Sequence, residues 1–242
     1  MKIAITGEKG FIGKHLVLAL KNNKKFKLRL LNREKEDLFR PESLKSFVGG
    51  KDYIIHLAGV NRGTDAEIIS GNIVTTHNLA WAVKNYKSPA RIVYISSIKA
   101  EGDSVYGLSK RLAEKKLESF ARDHGLKATI LRLTNVFGEG CRPFYNSVIA
   151  TFCHQISRGE KLSVSDSSDK ISFIYVGDLV KIITKEILAE RKTPFYFKRT
   201  VTDECFTVKE IAEMVESFSA GKKPAGKNTF HKKLYNTYQS YL

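Results

Sequence analysis

Residues 2–13 read KIAITGEKGFIG. KIAIT (2–6) is a short, mostly apolar run of the kind that forms a buried strand. The loop TGEKGFIG (6–13) follows at once, with Gly7, Gly10 and Gly13, and Ile12, Leu16, Ala19 and Leu20 then recur at helical spacing. A glycine loop between a strand and a helix has a defined use. Gly7 permits the tight turn, Gly10 lets a pyrophosphate approach the backbone, and Gly13 lets the helix pack against the strand. The helix start offers free N–H groups to the phosphates. A glycine turn without a ligand is the plain alternative, and position with spacing favours a dinucleotide.

The same rhythm continues along the chain. KLRLL (27–31), DYIIHLA (52–58), ARIVYIS (90–96) and KATILRL (127–133) read as four more strands. Helical patterns lie near 65–85 and 106–122, the second placing Ala113, Leu117, Phe120 and Ala121 on one face. Alternating strands and helices, with near-continuous apolar strands, predict a parallel sheet covered on both sides by helices. The expected fold class is α/β, a Rossmann-type doubly wound sheet with a smaller C-terminal substrate-binding portion. The expected domains are a cofactor-binding core over 1–135 and a mainly substrate-binding portion over 136–242, partly interleaved with it. In the second, helices are expected near 146–157, 178–190 and 207–218, and strands near 161–165 and 172–176. Residues 219–228 (SAGKKPAGKN) read as an exposed linker, and the aromatic end FHKKLYNTYQSYL is expected to pack back.

Composition narrows the function classes. The 242 residues hold 42% hydrophobic side chains, ordinary for a globular chain, and no apolar run of the roughly 18 residues that spans a bilayer. The start resembles no signal peptide, so a cytoplasmic protein without a membrane partner is expected. Cys141, Cys153 and Cys205 form neither a disulfide framework nor a metal pair, and the histidines lack paired-ligand spacing, so no metal is expected. The net charge of +16 is spread along the chain, densest at KNNKK (21–25) and GKKPAGKNTFHKK (221–233). Neither patch interleaves several aromatics, so no nucleic-acid partner is expected. After the second strand stands Asn32-Arg33, where an acid would bind ribose hydroxyls. Arg33 can instead pair with a 2′-phosphate, helped by Lys35, which favours NADPH over NAD(H).

These residues resemble the extended short-chain dehydrogenase/reductase superfamily, the NAD-dependent epimerase/dehydratase group, over nearly the whole chain. TGEKGFIG is similar to its cofactor loop, implying contacts from Gly7, Gly10, Phe11, Ile12 and Gly13. DLFRPESL (37–44) resembles the segment whose Asp37 and Leu38 lie beside the adenine, and HLAG (56–59) the loop whose Leu57, Ala58 and Gly59 flank the cofactor. GNIVTTHNLAWA (71–82) resembles the helix bearing a cofactor-side asparagine, here Asn72. SS (96–97) with YGLSK (106–110) resembles the serine, tyrosine and lysine of the active site, and LRLTNVFG (131–138) the motif whose asparagine, Asn135, faces the nucleotide-sugar. ISFIYVGDLV (171–180) resembles the segment leading into a later helix. Within the superfamily, HLAGVNR, YNSVIATF (145–152) and LYNTYQSYL resemble the reductase domain of bifunctional capsular-polysaccharide enzymes that join it to a C-terminal cupin epimerase. No histidine-rich cupin strand occurs, so the resemblance implies reduction and not epimerisation.

What it implies is an NADPH-dependent reduction of the C4 ketone of a UDP-linked 2-acetamido-2,6-dideoxy-hexulose, for capsular or surface polysaccharide. Tyr106 would donate the proton. Lys110, one helical turn on, would lower the phenol pKa and hold the nicotinamide ribose. Ser97 would orient the carbonyl, with Ser96 the neighbouring alternative. Ile98 and Lys99 stand where dehydratases carry an acidic pair, so elimination is not expected. Ile171 stands where many relatives have a phosphate-binding arginine, and Lys170 beside it can substitute as a point charge. Arg62, Arg142 and Asn146 are further substrate-binding candidates, each equally readable as a solvated loop residue. A homodimer formed through the helices at 65–85 and 106–122 is also implied. The alternatives are a 4-epimerase that retains NAD and, in another class, a non-catalytic NADP-binding regulatory protein.

Overall fold

The computed structural model describes residues 1–164, 167–200, 202, 204–224 and 229–242. The first elements are β1 (Lys2–Thr6), α1 (Phe11–Lys21), β2 (Lys27–Leu30) and a short α2 (Lys45–Val48). Next come β3 (Tyr53–His56), α3 (Asp65–Ile69), a π-helical turn (Ser70–Val74) and α4 (Thr75–Asn85). Then follow β4 (Arg91–Ser97), α5 (Val105–His124), β5 (Ala128–Leu133) and β6 (Asn135–Phe137). The remainder is α6 (Val148–Ser157), β7 (Ile171–Tyr175), α7 (Val176–Leu188), β8 (Phe195–Thr200), β9 (Cys205–Phe206), α8 (Val208–Ser219) and α9 (Thr229–Gln239).

The chain forms two compact units: Met1–Leu133 with Ile183–Thr200, and Thr134–Ile182 with Val201–Leu242. The first unit holds a six-stranded sheet in the order β2-β1-β3-β4-β5-β8, parallel throughout. Ala4, Ile54, Ile92, Tyr94 and Ile130 pack on one face against Leu79, Ala80 and Val83 of α4 and Ala113 and Leu117 of α5. The alternating residues Ile3, Ile5, Ile55 and Val93 are also fully buried, so both faces are covered, as a parallel sheet requires. The strand order reverses between β1 and β3. In open α/β sheets ligands bind outside the C-terminal strand ends at such a switch point. Those two ends carry the glycine loop and HLAG.

β8 completes this sheet, pairing Ala128↔Phe195 through Leu133↔Thr200 with β5. Sequence reading missed it because FYFKRT carries two cations and half-exposed aromatics, the pattern of an edge strand rather than a buried run.

The second unit has a small sheet β6-β7-β9, with β7 and β9 antiparallel. Phe137, Phe152, Phe173, Ile211, Val215, Phe230 and Leu234 share its core. The aromatic end does pack back: α9 buries Phe230, Leu234, Thr237 and Tyr238, and Phe230 stacks on Phe206 at 4.4 Å. The strand expected near 161–165 does not form over 161–164, and Ser165 lies outside the described residues, as does 225–228 of the expected linker. Among the described residues no helix is long and apolar enough to cross a membrane.

Candidate active site

The glycine loop has the geometry of a cradle. Gly7 has φ +73°, and a Cβ there would stand 2.6 Å from the Ala58 nitrogen on the neighbouring β3 loop. A Cβ on Gly13 would stand 2.2 Å from the Gly7 carbonyl oxygen. Gly10 caps α1 without a side-chain hydrogen bond, and the first turn, beginning Phe11-Ile12, carries no acid. The helix start is thus open to an anion. Glu8 in the same loop is buried, and its Oε2, unpartnered among the described residues, can accept one donor. These features fit a dinucleotide.

Beyond β2, Arg33 and Lys35 are exposed. The nearest buried carboxylate, Glu36, is already committed. It accepts from Arg29 at 2.5 Å, the Asn32 backbone at 2.8 Å and Ser46 at 3.0 Å. Asp37 accepts from the Phe39 backbone and Arg40, which holds a tight turn. Leu38 is buried, and its carbonyl accepts from Asn78 at 2.9 Å.

At the end of β3, His56 is fully buried. Its Nδ1 lies 2.7 Å from the Thr6 hydroxyl and its Nε2 3.1 Å from the Thr76 hydroxyl. Burial, with the Lys110 charge, lowers its pKa to about 3, so the ring stays neutral. Leu57, Ala58 and Gly59 follow, and Ala58 N–H donates to the Thr6 hydroxyl at 3.3 Å. Asn72 lies in the π-helical turn and is buried. Its Oδ1 accepts from Val60 N–H at 3.1 Å, and its Nδ2 reaches Val60 O at 2.6 Å and Ser109 Oγ at 2.9 Å. Asn72 therefore ties the β3 loop to α5. The six residues Leu57, Ala58, Gly59, Asn72, Ser109 and Lys110 gather here, since a Cβ on Gly59 would meet Asn72 Oδ1 at 2.6 Å and Lys110 Nζ at 3.9 Å.

β4 and α5 carry the rest. Ser104 caps α5 by accepting from Gly107 N–H, which starts the helix just before Tyr106. Successive strand residues point to opposite faces. Ser96 donates to Glu114 at 2.5 Å, inside the structure, whereas Ser97 hydrogen-bonds the Tyr106 phenol. The Ser97 oxygen also accepts from Lys99 N–H at 3.2 Å. Lys110 is buried, donates to Ile95 O at 2.7 Å, and its ammonium sits 4.2 Å over the Tyr94 ring.

The electrostatics correct one expectation. Lys110 was expected to lower the Tyr106 pKa. Burial instead raises it, and the Ser97 hydrogen bond offsets this in part. Burial also lowers Lys110 to about 7, opposed by Glu114. Desolvation outweighs the Ser97 hydrogen bond, the opposing influence on the phenol.

The substrate-binding candidates fall in both units. Arg62 is exposed before α3 in the first. In the second, Asn135 donates to Ser172 O at 3.3 Å, Arg142 stacks on Tyr145 at 5.2 Å, and Asn146 and Lys170 are exposed. Residues that sequence reading passed over are Glu114, Ser109, Thr6 and Thr76. Only Glu114 left a sequence signal, an acid one helical turn beyond Lys110.

The sequence pattern of the NAD dependent epimerase/dehydratase family matches residues 3–194. The chain belongs to that family. A UDP-2-acetamido-2,6-beta-L-arabino-hexul-4-ose reductase of Pseudomonas aeruginosa is 35% identical over 247 residues, covering 100% of this chain and 65% of that protein. The crystal structure of capsular polysaccharide assembling protein CapF from Staphylococcus aureus matches with TM-score 0.76 at 33% identity, covering 100% of this chain and 65% of that one. This family member thus spans 65% of the length of each. RMD from Pseudomonas aeruginosa, solved with NADPH, matches with TM-score 0.83 at 21% identity, covering 99% of this chain and 98% of that one. At that identity the likeness is one of fold.

Proposed function

We propose that the chain reduces the C4 ketone of a UDP-linked 2-acetamido-2,6-dideoxy-hexulose with NADPH. The observation that carries this reading is the convergence of Ser97, Tyr106 and Lys110 at the C-terminal end of β4. The 35% identical reductase supports the choice of substrate. When bound, the reduced nicotinamide supplies a hydride to C4. The raised pKa keeps Tyr106 protonated at neutral pH, so it can give its proton to the carbonyl oxygen as the alcohol forms. Ser97 orients that oxygen. Lys110 faces the developing phenolate and holds the nicotinamide ribose. Gly7, Gly10, Phe11, Ile12 and Gly13 hold the pyrophosphate, Leu57, Ala58, Gly59 and Asn72 line the nicotinamide side, and Asp37 and Leu38 the adenine side. Arg62, Asn135, Arg142, Asn146 and Lys170 are assigned to the sugar nucleotide. The enzyme would work in the cytoplasm, where NADPH and UDP-sugars occur.

Arg33 and Lys35 are assigned to the 2′-phosphate, since Glu36 is withheld by Arg29 and Ser46. Arg33→Ala should weaken NADPH binding about tenfold or more while leaving NADH binding within about twofold, since one charge-assisted hydrogen bond contributes ~1.5–3 kcal/mol. Fluorescence titration with both cofactors checks this; equal losses would count against the assignment. A homodimer is assigned to the exposed apolar residues Ile69 and Val74 with Leu108 and Leu112 of α5. Light scattering should give twice the chain mass, and Leu112→Glu should give a monomer. The function is tested by mixing the protein with NADPH and a UDP-4-keto-6-deoxy sugar. NADPH consumption matched by C4 alcohol supports the reading, and interconversion of C4 epimers without consumption would favour a 4-epimerase.

A further inference from the structure

Glu114 lies on α5, four residues after Lys110, which places it one turn along the face that carries Tyr106 and Lys110. It is buried, and its carboxylate joins three elements. Oε1 accepts from Ser96 Oγ of β4 at 2.5 Å and from Arg132 Nε of β5 at 3.1 Å, and Oε2 accepts from Arg132 Nη2. Ser96 stands between Ile95, whose carbonyl holds Lys110 Nζ, and Ser97, which bonds Tyr106. Helix α5 therefore grips three consecutive residues of one strand, through Lys110 on Ile95, Glu114 on Ser96 and Tyr106 on Ser97. Loss of the middle grip would let the helix slide or tilt against the strand, and the spacing of Ser97, Tyr106 and Lys110 would change with it.

We propose that Glu114 is a positioning residue of the active site, docking α5 onto β4 and β5 and presenting a buried negative charge to the Lys110 ammonium. The inference rests on the roles given above to Tyr106 and Lys110. The groups around that ammonium leave Glu114 as its main counter-charge. From β3 it meets His56, which is neutral, and from β4 the Tyr94 ring. The π-helical turn contributes the uncharged Asn72. Beyond Glu114 lie Arg132 of β5, Glu101 of the turn after β4, and Arg199 of β8, which pairs with Glu101 at 3.0 Å. Since Lys110 titrates near neutrality, with Glu114 opposing the effect of burial, a change in that charge is visible in the working pH range.

The test follows the alkaline limb, where Lys110 loses its proton, in both NADPH affinity and kcat/KM. Glu114→Gln keeps the shape and removes the charge, so the limb should move to lower pH by about one unit. Glu114→Asp should restore it towards wild type. Ser96→Ala cuts the middle grip and leaves the charge, so it should lower kcat/KM and the unfolding temperature without moving the limb. Arg132→Met removes the cation that neutralises Glu114, so its limb should move to higher pH. That variant keeps the test open if Glu114→Gln does not fold. A folded Glu114→Gln protein whose limb stays at the wild-type position overturns the proposal, as does an Arg132→Met limb that does not move. A wild type that binds NADPH but reduces no keto-sugar would defeat the proposed function alone, because the affinity limb still reads Glu114.

Discussion

Replacing Tyr106 with Phe is expected to cut turnover of the keto-sugar by about a hundredfold to ten-thousandfold, the range typical of a positioned general acid. The substitution removes one oxygen. Burial holds the phenol in its protonated form, and its side-chain hydrogen bond runs to Ser97, so the proton is available where the ketone oxygen would stand. The Phe ring fills the same space, so the fold and NADPH affinity should change little. Stopped-flow absorbance of NADPH with a UDP-4-keto sugar reads the effect. Turnover within a fewfold of wild type would mean that another group delivers the proton. The neighbouring Lys110 does not replace it in this scheme, because its ammonium is held by Ile95 O and the Tyr94 ring.

The second large effect is expected at Gly13. A Cβ there would meet the Gly7 carbonyl oxygen at 2.2 Å and Glu8 Cα at 2.8 Å. Both are backbone atoms and cannot swing aside like a side-chain tip. Gly13→Ala must push α1 away from the loop or open the Gly7 turn, and either change spoils the cradle. Overpacking of this kind costs ~1–3 kcal/mol. If the cost falls on the binding-competent loop, NADPH affinity drops by about tenfold to a hundredfold. Fluorescence titration beside thermal unfolding separates lost affinity from lost fold. Wild-type affinity in Gly13→Ala would show that the loop does not cradle the cofactor.

Much of the first unit was legible because its strands are short apolar runs separated by helices with clear periodicity. Ile3, Ile54, Ile92 and Ile130 are buried, and both β1 and the glycine loop fall where the pattern put them. β8 was not legible, because an edge strand needs only half its residues apolar and Lys198 and Arg199 obscure the rest. KLSV at 161–164 shows the converse, since its apolar alternation finds no strand partner among the described residues. At the site, the spacing of Tyr106 and Lys110 announced a shared helix face. Ser97 was preferred to Ser96 only through the resemblance, as two adjacent serines at a strand end look alike. The pleat separates them by sending Ser96 to Glu114. The raised Tyr106 pKa was not legible either, because it depends on burial that no local pattern reports. Glu114 left no more than its spacing from Lys110 for a related reason. In RLAEKKLE it is one acid of two on a charged helix, and its importance comes from Ser96 and Arg132, distant in sequence.

The most direct measurement is the fate of the hydride. NADPH deuterated at nicotinamide C4 is incubated with a UDP-linked 2-acetamido-2,6-dideoxy-4-keto-hexose and the protein, and the product is examined by NMR and mass spectrometry. The account predicts one deuterium at sugar C4, one NADPH consumed per alcohol formed, and a single C4 configuration. A product without deuterium at C4, or NADPH left unconsumed while the sugar changes, would contradict it.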